Sequence, residues 1–276
     1  MIAKSEKPGQ RSKSSRRWRL LVLATIVFFI AAGIYFVLVP IQQSKRLEQA
    51  LVERFNWANE YIPPANGLIA PERAEKFIRI REAVQTNCAI FQGILDGVMK
   101  LESMESNPDM SAGEKASESI ESLQSMFSAA PNFLEFMDAR NNSLLIEEMG
   151  LGEYMYIYLA AYAPQLAAEG DSQYADQKEA YISPRARDEY VQILGNQLTA
   201  LANSGSNAST QALVNRLQSE ITALQDGTHT SPWPNGPPAM TDESLAPYRE
   251  QLDNLYCQGI VEIELTQKNR GLNFQN

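Results

Sequence analysis

Charged and tyrosine side chains cluster between positions 133 and 162, where they could form a polar site. Arg140 falls on an otherwise apolar helical face of this stretch. A charge on such a face needs a partner, because an unpaired charge in a protein interior is strongly destabilising. Glu148 lies two turns further on, and Glu153 and Tyr154 follow a Gly-Leu-Gly break that could fold them back. We therefore predict that Arg140 pairs with one of these glutamates.

Two interpretations of this cluster stay open. In the first, the cluster is a buried salt bridge that fixes the register of the helices. In the second, it is a polar pocket in which Arg140 binds an anion, or in which Glu148 and Glu153 act as general acid and base. Paired carboxylates hydrolyse glycosidic bonds when they lie about 5–10 Å apart. The sequence does not set this distance.

Tyrosines recur every four residues, at Tyr154, Tyr158 and Tyr162, which places them on one face of a helix. Such a stripe usually lines the edge of a core while the hydroxyl groups find polar partners. A groove for a ligand or a partner protein is the alternative.

Cysteine and histidine are scarce, and this limits the chemistry. Cys88 and Cys257 both lie on predicted amphipathic helices, where they form either a disulfide or two buried free thiols. His229 is the single histidine, which removes most zinc sites and most serine–histidine catalysis. It lies in a proline-rich loop, where we expect it to be solvated. We expect no metal and no cofactor.

Residues 20–39 form an uncharged apolar run of 20 residues, which as a helix spans about 30 Å, the thickness of a bilayer core. Seven basic residues stand in the preceding segment 1–19. Because positive flanks stay in the cytoplasm, the sequence predicts a single-pass inner-membrane protein of a bacterium, with residues 41–276 outside the cytoplasm. The run ends without a small-residue cleavage site, which favours an uncleaved signal-anchor over a signal peptide.

The predicted outer domain is acidic. After position 19 the chain has 17 basic and 32 acidic residues, a net charge of −15. This charge repels phosphate backbones, so we expect no nucleic-acid partner.

Apolar residues at helical spacing predict an all-α domain, a bundle of about seven helices. A loop rich in proline and glycine interrupts it at 226–239, and a short strand at 260–265 is the minority alternative. The predicted helices are 41–61, 72–104, 111–130, 132–149, 153–168, 183–203, 210–225 and a last helix from 241 to about 263.

The run ARNNSLLIEEMGLGEYMYIYLAAY, residues 139–162, resembles a segment of an uncharacterised family of bacterial single-pass membrane-anchored proteins. The resemblance covers about thirty residues and implies a location rather than an activity. The layout of one anchor and a helical outer domain is also similar to that of the anchored lipase foldases, which implies a periplasmic chaperone.

The leading hypothesis is a non-enzymatic envelope protein that binds another envelope protein or a small ligand. A hydrolase that uses Glu148 and Glu153 is the first alternative, and a periplasmic chaperone or a carrier of apolar ligands is the second.

Overall fold

The structure is a computed structural model that describes residues 42–105, 132–173, 182, 184–204, 208–229, 231–257 and 261–265. The predicted basic tail, the predicted membrane helix 20–39 and the predicted helix 111–130 lie outside these residues. Within the described ranges, no helix has both the length and the apolar character needed to cross a bilayer. All regular secondary structure in these ranges is helical, which confirms the all-α prediction.

From Ser44 onward the described residues belong to one unit. Short 3₁₀ helices cover Ala58–Glu60 and Ala246–Tyr248. The α-helices are α1 (42–55), α2 (Pro71–Glu105), α3 (132–146), α4 (Leu151–Ala161), α5 (Ala163–Gln173), α6 (Pro184–Asn203), α7 (Ala208–Gln225), α8 (Ala239–Leu245), α9 (Arg249–Asn254) and α10 (Val261–Leu265).

Helix α4 lies at the centre of the core. All of its residues except Glu153 are buried. Helices α2, α6 and α8 and the first 3₁₀ helix pack against it. A helix surrounded in this way needs an apolar surface all round, which explains why its sequence contains a single charged residue.

Close packing at the start of α4 requires glycine at position 152. A Cβ atom there would lie 2.1 Å from the carbonyl oxygen of Ala58 and 2.6 Å from Cβ of Tyr61. The Gly-Leu-Gly sequence therefore serves close approach of the backbones. The chain changes direction earlier, at Glu148, which ends α3 with a left-handed φ of 54°. The N–H of Met149 then donates to the carbonyl oxygen of Leu144 over 2.9 Å.

Two predicted helices are interrupted in the structure. The first, 41–61, ends at Phe55, because Asn56 adopts a φ of 63°, a conformation that ends helices. The second, 153–168, divides at Tyr162 into α4 and α5. Pro164 lacks the N–H that would bond to the carbonyl group of Ala160 in a continuous helix. The carbonyl group of the next residue, Ala161, accepts a 2.7 Å hydrogen bond from Arg249.

The predicted last helix is also wrong in its extent. The chain after residue 239 forms α8, a 3₁₀ turn, α9 and the separate helix α10. The strand that we considered at 260–265 is wrong as well, since 261–265 is helical and buries Val261 and Leu265.

Candidate functional site

Arg81 of α2 is the fully buried centre of a polar cluster. It forms a salt bridge with Glu264 of α10 and donates to the carbonyl oxygen of Leu255 over 2.6 Å. Its guanidinium also donates to the hydroxyl groups of Tyr154 and Tyr162, over 3.2 and 3.3 Å. We call the group formed by Arg81, Arg140, Tyr154, Tyr158, Tyr162 and Glu264 the arginine centre.

Helical periodicity brings these side chains together. Arg81 stands one turn after Phe77 and one turn before Val84, so it shares the buried face of α2. The three tyrosines follow one face of α4, and the Arg81 guanidinium lies 5.2 Å from the ring centroid of Tyr158. A cation stacked on an aromatic ring in the interior is favourable, because the ring face is electronegative.

Arg140 of α3 is also buried, with 1% of its surface exposed. It donates to Oδ1 of Asn141 over 2.8 and 3.1 Å and to the main-chain carbonyl group of Glu264. The C-terminal helix α10 is therefore bound twice, through the side chain of Glu264 to Arg81 and through its backbone to Arg140.

Burial shifts the ionisation of the whole centre. It lowers the pKa of Arg81, but Glu264 and the tyrosines outweigh this, so the pKa lies well above the ordinary value. Burial raises the pKa of Glu264, against the opposing effect of Arg81, and it raises the pKa of Tyr158 well above the ordinary value. The tyrosine hydroxyls therefore stay neutral and serve as hydrogen-bonding groups rather than as bases.

The arginine centre cannot reach a substrate in this conformation. The relative exposure of Arg81, Tyr154, Tyr158 and Glu264 is 0%. Groups that are sealed from solvent on all sides can hold the fold together, but they cannot touch a reacting molecule.

The two glutamates that we expected beside Arg140 lie elsewhere. Glu148 pairs with Arg54 at the surface, where both side chains are about half exposed. Glu153 accepts from Arg73 through both carboxylate oxygens, and the Nε–Oε1 distance is 2.6 Å. The structure thus gives Arg140 different partners and pairs each of the two glutamates with another arginine.

Arg81 and Glu264 were missed at the sequence level. Arg81 carries the signal that drew attention to Arg140, a charge on an apolar helical face. Glu264 carries a weaker one, because Val261 and Leu265 flank it at helical spacing. No local pattern links the two residues, since 183 positions separate them.

Cys88 of α2 and Cys257 form a disulfide with a Cα–Cα distance of 5.8 Å. The bridge joins residues 169 positions apart. It lies in a small apolar cluster that includes Phe91, Phe136 and Met137. It therefore holds the segment before α10 against α2, close to the arginine centre.

A second polar group surrounds His229, which we expected to lie in a solvated loop. Its Nδ1 atom lies 3.0 Å from Oε2 of Glu220 on α7. The other carboxylate oxygen of Glu220 accepts the N–H of Trp233 over 2.8 Å. Trp233 has a left-handed φ of 54°, and its indole N–H donates to Tyr190 over 2.6 Å. Through these two contacts, Glu220 holds His229 and Trp233 of the proline-rich loop against α7.

This group forms one wall of a surface pocket of about 340 Å³, which we call the α7 pocket. Its lining residues are Arg216, Ser219, Glu220, His229, Trp233, Pro234, Asn235 and Gly236.

A more apolar pocket of about 330 Å³ lies between α7 and α8, and we call it the α7–α8 groove. Met240 lines it and is 42% exposed. Leu68, which is 45% exposed, follows two residues after Asn66 of the lining. The other lining residues are Leu201, Ser209, Thr210, Ala212, Leu213, Arg216, Pro238 and Ala239.

Within the described ranges, no group of three or more histidine, cysteine, aspartate or glutamate side chains could hold a metal ion. Comparison of the chain with protein-family models, with curated proteins and with solved structures gives no match. The resemblance of residues 139–162 to a family of anchored bacterial proteins therefore stays a prediction.

Proposed function

We propose that this chain is a single-pass protein of the bacterial inner membrane whose helical domain binds another envelope protein outside the cytoplasm. The anchor in this proposal is the apolar run 20–39, with the basic segment 1–19 in the cytoplasm. The disulfide between Cys88 and Cys257 supports this placement. Disulfides persist in oxidising compartments such as the periplasm and are rare in the cytosol.

A fusion experiment tests the location. The full chain carries at its C-terminus either a reporter that is active only in the periplasm or one that is active only in the cytosol. We expect activity from the first reporter alone, and recovery of the chain with the membrane fraction. A matched control fuses the same reporters after residue 15, where the expected pattern is reversed. Cytosolic activity at the C-terminus would overturn the placement.

The observation that carries the binding function is the contrast between a sealed centre and an open apolar groove. Exposed apolar surface with a polar rim marks sites of protein interaction. The α7–α8 groove exposes Met240 beside the lining residues Leu201 and Leu213. Its volume of about 330 Å³ is at the lower end of ligand pockets and fits an apolar side chain that anchors a partner.

Site-specific photo-crosslinking in living cells tests this function. A photoreactive residue replaces Met240 in the full chain, and a matched variant carries it at Ile146, an apolar residue that is 68% exposed but does not line the groove. We expect one discrete adduct from position 240, and its loss when Leu213→Asp is added. Equal adducts from both positions, or none from 240, would contradict the proposal.

The two alternatives differ in their support. A hydrolase that uses Glu148 and Glu153 has little, because each carboxylate is paired with an arginine. A carrier of small apolar ligands, or a chaperone, would use the same α7–α8 groove. If the crosslink at position 240 is a lipid or another small molecule rather than a protein, the carrier function replaces the proposal.

A further inference from the structure

The α7 pocket contains one carboxylate, that of Glu220, and each of its two oxygen atoms already contacts another group. Oε1 of Glu220 accepts from the N–H of Trp233, and Oε2 contacts Nδ1 of His229. The Glu220 side chain is only 5% exposed. A bound molecule would therefore find no free carboxylate at this wall to accept its hydrogen bonds.

The donors of the same pocket remain available. With Nδ1 of His229 on Glu220, the opposite ring nitrogen, Nε2, has no partner among the described residues, and the side chain is 24% exposed. When the ring carries a proton on both nitrogens, Nδ1–H donates to Glu220 and Nε2–H is free to donate to an anion. The Glu220 contact fixes the ring orientation, as carboxylates do for histidines in functional sites.

Arg216 supplies the second set of donors. Its Nη2 atom donates to the carbonyl groups of Gly236 and Pro237 over 2.6 and 2.9 Å, and its guanidinium lies 5.9 Å from the ring centroid of Trp233. These contacts hold the side chain in place with neutral partners. In the described part of the chain no carboxylate forms a salt bridge with Arg216, whereas Arg54, Arg73 and Arg79 each have one.

We propose that the α7 pocket binds a small anion, a carboxylate or a phosphate group, between Arg216 and His229. Free donors and a satisfied acceptor define a site that complements negative charge. The pocket of about 340 Å³ has room for a small organic acid or phosphate ester. Arg216 also lines the α7–α8 groove, whereas Glu220, His229 and Trp233 do not. Anion binding by the purified chain requires no envelope protein, so the proposal does not depend on the proposed function.

Three charged residues surround His229 in and beside the α7 pocket. Glu220 on α7 and Asp226 in the following turn are the acids that act on it, and Arg216 faces it from the pocket lining. Asp226 is exposed and accepts from the N–H of Thr228.

The single histidine makes the test direct. The full chain is prepared in neutral detergent without a histidine tag and with ¹³C-labelled histidine, so that its ring gives one set of NMR signals. Sodium phosphate and sodium acetate are titrated separately at constant ionic strength near pH 6. We expect a saturable shift of the His229 signals with at least one of them. The anion that saturates identifies the group that is bound.

Two variants locate the site. Arg216→Gln should weaken binding at least about tenfold, since it removes charge-assisted donors, while Arg46→Gln, which removes an exposed charge from α1, should not. Ser219→Trp fills the pocket and should abolish the saturable shift while leaving Arg216 in place, and the His229 signals without anion report whether each variant is folded. A shift that does not saturate with either anion would overturn the proposal. So would equal weakening by Arg46→Gln and Arg216→Gln, or undiminished binding in Ser219→Trp.

Discussion

The arginine centre and the α7 pocket combine the same kinds of residue in opposite ways. In the centre, a glutamate meets Arg81 among three tyrosines, and all of these side chains are sealed from water. In the pocket, Glu220 is buried but its partner His229 is partly exposed, and Arg216 donates to main-chain carbonyl groups and lies over the ring of Trp233. The comparison shows that charged residues in a core stabilise the fold when their bonds close on each other. Charged residues can bind a ligand only where a hydrogen-bond donor remains unpaired and reaches the solvent.

The largest effect should come from the centre. Glu264→Gln removes the charge opposite the fully buried Arg81, and we expect a loss of about 3–5 kcal/mol in the free energy of unfolding. Glu148→Gln makes the same change in the exposed pair with Arg54 and should cost about 0–1 kcal/mol. Urea unfolding of the full chain in neutral detergent measures both. Similar losses in the two variants would contradict the distinction between a sealed and an open pair.

Removal of the disulfide should have the next largest effect. With Cys88→Ala and Cys257→Ala together, we expect a loss of about 2–5 kcal/mol, because the bridge constrains a long loop in the unfolded chain. The bridge holds the segment before α10, so the change should act on the centre and leave the α7 pocket intact. The His229 NMR signals should therefore stay unchanged. Altered signals would mean that the two regions are coupled.

A smaller loss of stability is expected from changes at Gly152, where the start of α4 packs against the first 3₁₀ helix. Gly152→Ala forces a Cβ atom against the carbonyl group of Ala58 and should cost about 1–3 kcal/mol. Gly195 lies in α6, and a methyl group added there would meet no atom within 4 Å, so Gly195→Ala should instead stabilise the chain by about 0.5–1 kcal/mol. Thermal unfolding compares the two. A neutral Gly152→Ala would show that α4 has room to move.

The smallest effect concerns Glu220 and pH. Burial raises the pKa of Glu220 above 4.5, against opposing hydrogen bonds from Trp233 and His229. The folded chain then holds this proton more tightly than the unfolded chain. The contribution of Glu220 to the free energy of unfolding therefore falls as the pH rises from 4.5 through the raised pKa.

Glu220→Gln removes this titration while keeping an acceptor for the Trp233 N–H. We expect its stability at neutral pH to lie within about 1 kcal/mol of the wild type, and to fall less steeply above pH 4.5. Urea unfolding at a series of pH values measures the slope. An unchanged slope would show that Glu220 is ionised at the same pH in the folded and unfolded chains.

Helical periodicity predicted much of the fold. Apolar residues at helical spacing predicted a helix over 72–104, and the structure has Pro71–Glu105. Pro164 was a local signal for the break at Tyr162. The regular spacing of the tyrosines nevertheless predicted one continuous helix. The left-handed Glu148 could not be read from the sequence, because glutamate has no preference for this conformation. Asn56 is of a residue type that adopts it readily, so it carried a local signal.

The site was harder to predict than the fold. Periodicity marks which charges face inward, and it placed Arg140 on a buried face. It cannot say which acid reaches which base, because that depends on contacts such as the one between Arg81 and Glu264, far apart in sequence. Glu148 and Glu153, which we expected beside Arg140, pair with Arg54 and Arg73 instead.

The most direct test of the account replaces both members of the sealed pair, Arg81→Met with Glu264→Met, and measures urea unfolding of the full chain beside each single variant. If the pair serves the fold, each single change leaves an uncompensated buried group, and the double variant should unfold at a urea concentration closer to the wild type than either single variant does. Single changes without effect, or a double loss equal to the sum of the two, would contradict the account.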